Sequence, residues 1–282
     1  MGHKEPGRYR GARVLVAGGS ISALEIASDL AVLGAARVVL AMRRQGYVVP
    51  RLIAGVPPES HAFTRAHALW LEGASPDEWA RETLAFMLRV GGSPAWYGGG
   101  TPAGDLRLAG TVGSHAFPQL VAEARIACRP WLARVGGRRV AFADGTEEDF
   151  DGIVLATGYR LHLPFLADGL RGRLGAGPTS LALAHHTVHP DAPGLAFVGL
   201  WTQSGAYFAP LEAQARWIAY AWGGAVPAPT DAEPAPPWRR AAPPAGVPSS
   251  STSEPSASPA CAGRTRKAAW TGALPRFWRK RR

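Results

Sequence analysis

The sequence predicts an α/β protein organised around a parallel βαβ unit, and three observations carry that prediction. Residues 13–17 (RVLVA) and 37–41 (RVVLA) are short apolar, β-branched runs of strand type. Between them, residues 22–33 repeat apolar side chains at helical spacing, with Ile26, Leu30 and Leu33 along one face. Glycines stand at both joints: Gly18-Gly19 leaves the first run and Gly34 stops the helix. Two strands joined through a helix lie parallel, with a right-handed crossover.

The remaining elements follow in order. Residues 57–90 read as mainly helical, with Pro76-Asp77 opening a helix and Trp79, Leu84 and Leu88 as core candidates. Residues 91–110 are glycine-rich and without period, as a loop is. Residues 125–142 hold short apolar runs split by Arg129-Pro130 and Gly136-Gly137, which suggests antiparallel strands, and Asp144-Gly145 is a hairpin-type turn. Residues 153–156 and 195–200 (LAFVGL) are two further strand-type runs, and residues 210–222 form an amphipathic helix. From Ala225 the composition turns to Pro, Ala and Ser and ends in Arg-Lys-Arg-Arg. Such a tail buries too little apolar surface to offset chain entropy and is expected to be disordered.

Composition narrows the function classes. At 282 residues, 46% hydrophobic and 18% charged, the chain is a soluble globular protein with a sizeable core. Its formal charge of +10 is concentrated in the tail, since residues 223–282 hold ten Lys/Arg against three Asp/Glu. The folded body is nearly balanced, which argues against nucleic-acid binding by it. Cys128 and Cys261 stand far apart, in neither a disulfide framework nor a metal-ligand spacing, and fit a reducing, cytoplasmic compartment. No apolar run reaches the ~20 residues that span a bilayer, and Met1 to Arg13 has no signal-type apolar core. His185, His186 and His189 with Asp191 match no defensible metal spacing, and Asp149 and Asp151 read as solvated strand flanks.

The glycine joint carries the first chemistry. Gly18-Gly19-Ser20-Ile21-Ser22-Ala23 is a variant of the Rossmann turn G-x-G-x-x-G/A, with serine in the second glycine's place. That turn needs a glycine to leave the strand tightly, a small residue where backbone meets pyrophosphate, and Gly or Ala where helix packs on strand. Gly18 and Ala23 satisfy the first and last. Ser20 is small, and its hydroxyl can donate to a phosphate. The helix that follows aims unpaired N–H groups and its positive dipole end at the same point. At the end of the second strand an NAD site places a carboxylate for the ribose 2′-OH. Here Arg43 and Arg44 stand instead, and arginines suit the 2′-phosphate of NADPH.

These segments resemble the flavin-containing monooxygenases, with their Baeyer–Villiger and N-hydroxylating relatives. Residues 11–27 are similar to the family's NADPH-binding segment: Ser22, Glu25, Ile26 and Ala27 fit its pattern, while Ser20 and Ala23 replace usual glycines. Arg43 falls where the family often carries its 2′-phosphate arginine, and Pro50-Arg51 also fits. Residues 150–159 (FDGIVLATGY), followed by Leu163 to Leu166, resemble the family's ATGY signature at Ala156, Thr157, Gly158 and Tyr159. Residues 193–200 and 203–217 resemble its final FAD-domain strand and helix, which would put Gln203, Ser204 and Gly205 near the isoalloxazine.

The resemblance implies a fold of two parts. A Rossmann-like NADPH-binding domain (8–135) is followed by the C-terminal part of a second, FAD-binding Rossmann-like domain (136–224) and the disordered tail (225–282). It implies cofactors NADPH and FAD, and oxygenation of a soft N- or S-nucleophile, a small-molecule substrate, through a C4a-hydroperoxyflavin. The family's first FAD-binding βαβ unit, and its fingerprint F-x-G-x-x-x-H-x-x-x-(Y/W), are not found before Gly18. The expectation is therefore an N-terminally truncated member, its missing unit supplied by a separate chain. The alternatives are an inactive NADP-binding protein and an unstable fragment.

Overall fold

The computed structural model describes residues 5–177, 181–201 and 207–226. It divides after Gly158 into two compact units.

In the first unit a 3-10 turn, Pro6–Tyr9, precedes β1 (Arg13–Ala17), α1 (Ile21–Val32), β2 (Arg37–Ala41) and β3 (Tyr47–Val49). The helices α2 (Glu59–Ala62), α3 (Arg65–Gly73), α4 (Pro76–Gly91) and α5 (Leu106–Ala109) follow, with a 3-10 turn at Pro94–Tyr97. Then come β4 (Thr111–Gly113), α6 (Phe117–Ala122), β5 (Ile126–Arg129), β6 (Leu132–Gly136), β7 (Arg139–Phe142), β8 (Glu147–Asp149) and β9 (Gly152–Leu155).

The predicted βαβ unit forms as read. β1 pairs parallel with β2 over five residues, Arg13 opposite Arg37 through Ala17 opposite Ala41. β9 adds parallel on the other side of β1, and β5 parallel beyond β2, giving a four-stranded sheet of order β5-β2-β1-β9. Both central strands are buried along nearly their whole length, as strands covered on two faces are. α1 and α6 cover one face through Leu24, Leu30, Phe117 and Leu120. The other face meets Val140, Phe142 and Phe150 of the hairpin region, where the two phenylalanine rings sit edge to face with centroids 6.3 Å apart.

Three expectations are corrected. The apolar runs of residues 125–142 predict antiparallel strands, but β5 joins the parallel sheet, and β6, β7 and β8 form the antiparallel meander. The physical reason is Pro130, which cannot donate to a ladder and ends β5 before the hairpin begins. On α1 the buried stripe is Ala23, Leu24, Ala27, Ser28, Leu30 and Ala31, while Leu33 is exposed. Small residues let the helix lie close to the sheet. On α4, Trp79 is exposed and Leu84 and Leu88 are half-buried, so none of the three is core. That helix does begin where Pro76-Asp77 signalled, with Ser75 and Glu78 closing a capping box. Asp144-Gly145 turns β7 into β8, with Gly145 at φ +82°.

The second unit contains α7 (Asp168–Arg173) and α8 (Phe208–Trp222) around a small core of Leu163, Leu174, Leu183, Ala192 and Phe197. The expected strand at 195–200 is reduced to a single bridge, Val188 with Ala196. A run of strand composition needs a neighbouring strand to become one, and Gly194 and Gly199, at φ +83° and +76°, bend it at both ends. Its backbone is held by one backbone bond, from the Phe197 N–H to the Thr187 carbonyl (2.7 Å), and by a side chain. Gln214 on α8 donates to the Phe197 carbonyl (3.1 Å) and the Thr187 hydroxyl (2.7 Å), and accepts from the Gly199 N–H (2.9 Å). The tail from residue 227, and with it the expectation of disorder, lies outside the described residues.

Candidate functional site

The carboxyl ends of β1, β2 and β9 meet at one edge of the sheet, where an open α/β sheet forms its ligand crevice. Gly18 leaves β1 there, its N–H bonded to the Ala41 carbonyl (2.9 Å). A Cβ on Gly18 would lie 2.3 Å from the Ala156 carbonyl oxygen and 3.1 Å from the Ala23 Cβ. No other residue fits without moving β9. Ala23, fully buried, is in turn the small contact that lets α1 approach β1. At Gly19 a Cβ would meet the Arg44 carbonyl oxygen at 3.2 Å and the Met42 Cβ at 3.3 Å, so the segment after β2 lies against the turn.

Ser20 caps α1 in extended conformation (φ −103°, ψ 177°), and its hydroxyl makes no capping bond. Ser20, Ile21 and Ser22 are all exposed. The first turn of α1 carries no acidic side chain, so the N–H groups and positive dipole end face the crevice uncompensated. Arg43 and Arg44 are exposed just beyond β2, and neither forms an ion pair among the described residues. The Arg43 guanidinium carbon lies 5.4 Å from the centre of the Trp131 ring. Glu25 is not free for a ligand: it accepts from Arg51 (3.0 Å) and from the buried Ser114 hydroxyl (2.7 Å), tying α1 to the loops after β3 and β4.

Ala156 continues β9 by donating to the Ala17 carbonyl (2.8 Å). Thr157 and Gly158 follow, exposed, with Gly158 at φ +96°. Tyr159, the first residue of the second unit, is 78% exposed.

A family model described as flavin-binding monooxygenase-like matches residues 1–233. The chain belongs to that family. The dimethylaniline monooxygenase (N-oxide-forming) 2 of Rattus norvegicus is 30% identical over 234 residues, covering 81% of this chain and 42% of the relative. The trimethylamine monooxygenase of Roseovarius sp. (strain 217) is 35% identical over 89 residues, 32% of this chain and 20% of that one. Among solved structures, cyclohexanone monooxygenase from Rhodococcus sp. Phi1 bound to NADP+ is 13% identical at a TM-score of 0.49, covering 79% of this chain and 54% of that one. The chain thus spans about two fifths of the length of the rat relative.

Of the residues singled out for this flavin-binding family, the structure gathers Gly18 to Ala23, Arg43, Arg44 and Ala156 to Gly158 at one sheet edge. Gln203, Ser204 and Gly205 lie outside the described residues. Asp149 and Asp151 are structural partners rather than free carboxylates. Asp151 accepts from the Arg13 N–H (2.7 Å) and pairs with Arg138, which hold its carboxyl below the usual range, and Asp149 pairs with Arg139. Among the described residues no group of three metal-ligand side chains comes together, and no helix is long and apolar enough to cross a membrane. Sequence reasoning missed two residues, Trp131 and Gln214. Neither follows a helix or strand period; the only clue to Trp131 is its place directly after Pro130.

Proposed function

We propose that this chain carries the NADP(H)-binding part of a flavin monooxygenase that oxygenates a soft nitrogen or sulfur nucleophile. One observation carries the reading: a glycine turn with no room for a side chain, an uncompensated helix N-terminus and two arginines without an ion pair among the described residues share one sheet edge. The parts fit NADP(H) in size and charge. Gly18 allows the backbone to approach a pyrophosphate, and the N–H groups of the first turn of α1 donate to its oxygens. Arg43 and Arg44 take the place of the carboxylate that would hold an unphosphorylated ribose, and give charge-assisted bonds to a 2′-phosphate.

FAD, in this reading, supplies oxygen activation, and the protein orients the nicotinamide and keeps water from the reacting centre. Ala156 to Tyr159 and Gln203 to Gly205 are the flavin-side segments by resemblance. Substrates that are soft nucleophiles are supported by the relatives, which are named for dimethylaniline N-oxide formation and for trimethylamine. A second reading, an NADP(H)-binding protein without oxygenation, is favoured by the exposure of Leu155, just before the ATGY segment, and of Tyr159, its last residue, at 71% and 78%.

Gel filtration with FAD, followed by flavin absorbance and NADPH oxidation in air, separates the two readings. Retained flavin that oxidises NADPH supports the monooxygenase. NADPH binding without retained flavin supports the second reading, and binding of neither removes both.

A further inference from the structure

Arginine side chains on a surface lose much conformational freedom when they bind a ligand, and a fixed aromatic face reduces that loss. Arg43 has such a face. Its guanidinium carbon lies 5.4 Å from the ring centre of Trp131, within the range of a cation–π contact. Trp131 is itself held firmly. Its carbonyl accepts from the Ala143 N–H (2.8 Å), its neighbour Leu132 pairs with Phe142 in β6 and β7, and Pro130 fixes the backbone before it. Leu132 packs against the buried cluster of Phe142 and Phe150, so the backbone next to the ring is anchored on a core.

In the NADP(H) reading, the ring stands beside the adenosine end of the dinucleotide. Trp131 follows β5, the strand beside β2, and Arg43 follows β2, both at the carboxyl edge of the sheet. Arg43 makes no ion pair among the described residues, so its charge is oriented but not neutralised. Arg44, beside it, has no such aromatic contact among the described residues.

Resting on the NADP(H) reading above, we propose that Trp131 is a positioning residue for cofactor selection, whose indole face holds Arg43 ready for the ribose 2′-phosphate. Trp131 acts through Arg43 and touches no reacting atom. It therefore sets preference for 2′-phosphorylated over unphosphorylated dinucleotides, and leaves affinity for the shared pyrophosphate and nicotinamide unchanged.

The test is a set of dissociation constants, by calorimetry, for 2′,5′-ADP, NADP+ and NAD+ on the full chain and on Trp131→Phe, Trp131→Leu, Arg43→Ala and the Trp131→Leu/Arg43→Ala double variant. Leucine keeps apolar bulk against the hairpin without a π face, so its thermal midpoint, compared with that of Trp131→Phe, shows whether folding is intact. The expected result is a two- to fivefold rise in the NADP+ constant for Trp131→Leu, about the strength of an exposed cation–π contact. NAD+ binding stays unchanged, Trp131→Phe stays near wild type, and the double variant is no weaker than Arg43→Ala alone. Equal NADP+ binding by wild type and Trp131→Leu overturns the inference while leaving the NADP(H) reading intact. So does an additive double variant, which would mean that the ring acts independently of Arg43. Failure of the wild type to bind either 2′,5′-ADP or NADP+ removes the NADP(H) reading, and the inference with it.

Discussion

The two units organise similar sequence material in different ways. In the first, apolar runs such as residues 13–17 and 37–41 find parallel neighbours, and Leu15, Leu24, Leu30 and Leu40 are fully enclosed. In the second, the equally strand-like residues 195–200 find one bridge, and the core residues Leu183 and Phe197 each keep 8% of their surface. The difference teaches that strand composition states a capacity, which a neighbouring strand realises. Where the sheet is complete, the backbone satisfies itself. Where it is not, a side chain such as Gln214 takes over the hydrogen bonds of the Phe197 carbonyl and the Gly199 N–H.

The largest expected effect tests that contrast directly. Leu40→Ala, at a site with no exposure, should cost about 4 kcal/mol by denaturant unfolding, and Leu183→Ala about 2 kcal/mol. The reverse order would mean that the second core carries more than its packing indicates. Next comes Gly18→Ala, whose Cβ must displace the Ala156 carbonyl. About 1–3 kcal/mol of strain is expected, together with loss of dinucleotide binding.

How much of this was legible follows from the same physics. β1, α1 and β2 could be read because period and glycine joints agree over a continuous stretch, and α4 could be read from Pro76-Asp77 at its start, while the Ser75–Glu78 capping box emerged only in the structure. The parallel pairing of β5 could not, because it depends on β2, far away in sequence. Nor could the exposure of Trp79 or the bridge at Ala196, which depend on what lies opposite. At the site, Gly18 and Ala23 were legible from the steric demands of the turn. The contact of Arg43 with Trp131 was not, because two loops separated by most of the unit bring it about.

Smaller effects sharpen the picture within the first unit. Ser75→Ala removes the cap of α4 and should lower stability by about 1 kcal/mol, visible as a shift in thermal midpoint. The Asp151 carboxyl is held below its ordinary value by the Arg13 N–H and by Arg138. Its contribution to stability is complete above the unfolded carboxyl value of about 3.9 and is lost as pH falls through the lower folded value. Asp151→Asn should therefore flatten the acid limb of a stability profile below about pH 4 and leave its shape at neutral pH unchanged. Finally, burial raises the Cys128 thiol to about 11, so in a Cys261→Ser background alkylation should be slow at pH 7.5 and should quicken on unfolding.

In the proposed function, the carboxyl edge of the β5-β2-β1-β9 sheet selects a 2′-phosphorylated dinucleotide. The dissociation constants of the full chain for NADP+ and NAD+, measured side by side at one ionic strength, test it most directly. Clearly tighter binding of NADP+ is expected, a preference that narrows when Arg43 and Arg44 are both replaced by Ala. Equal affinity for the two, or a preference that survives loss of both arginines, would contradict it.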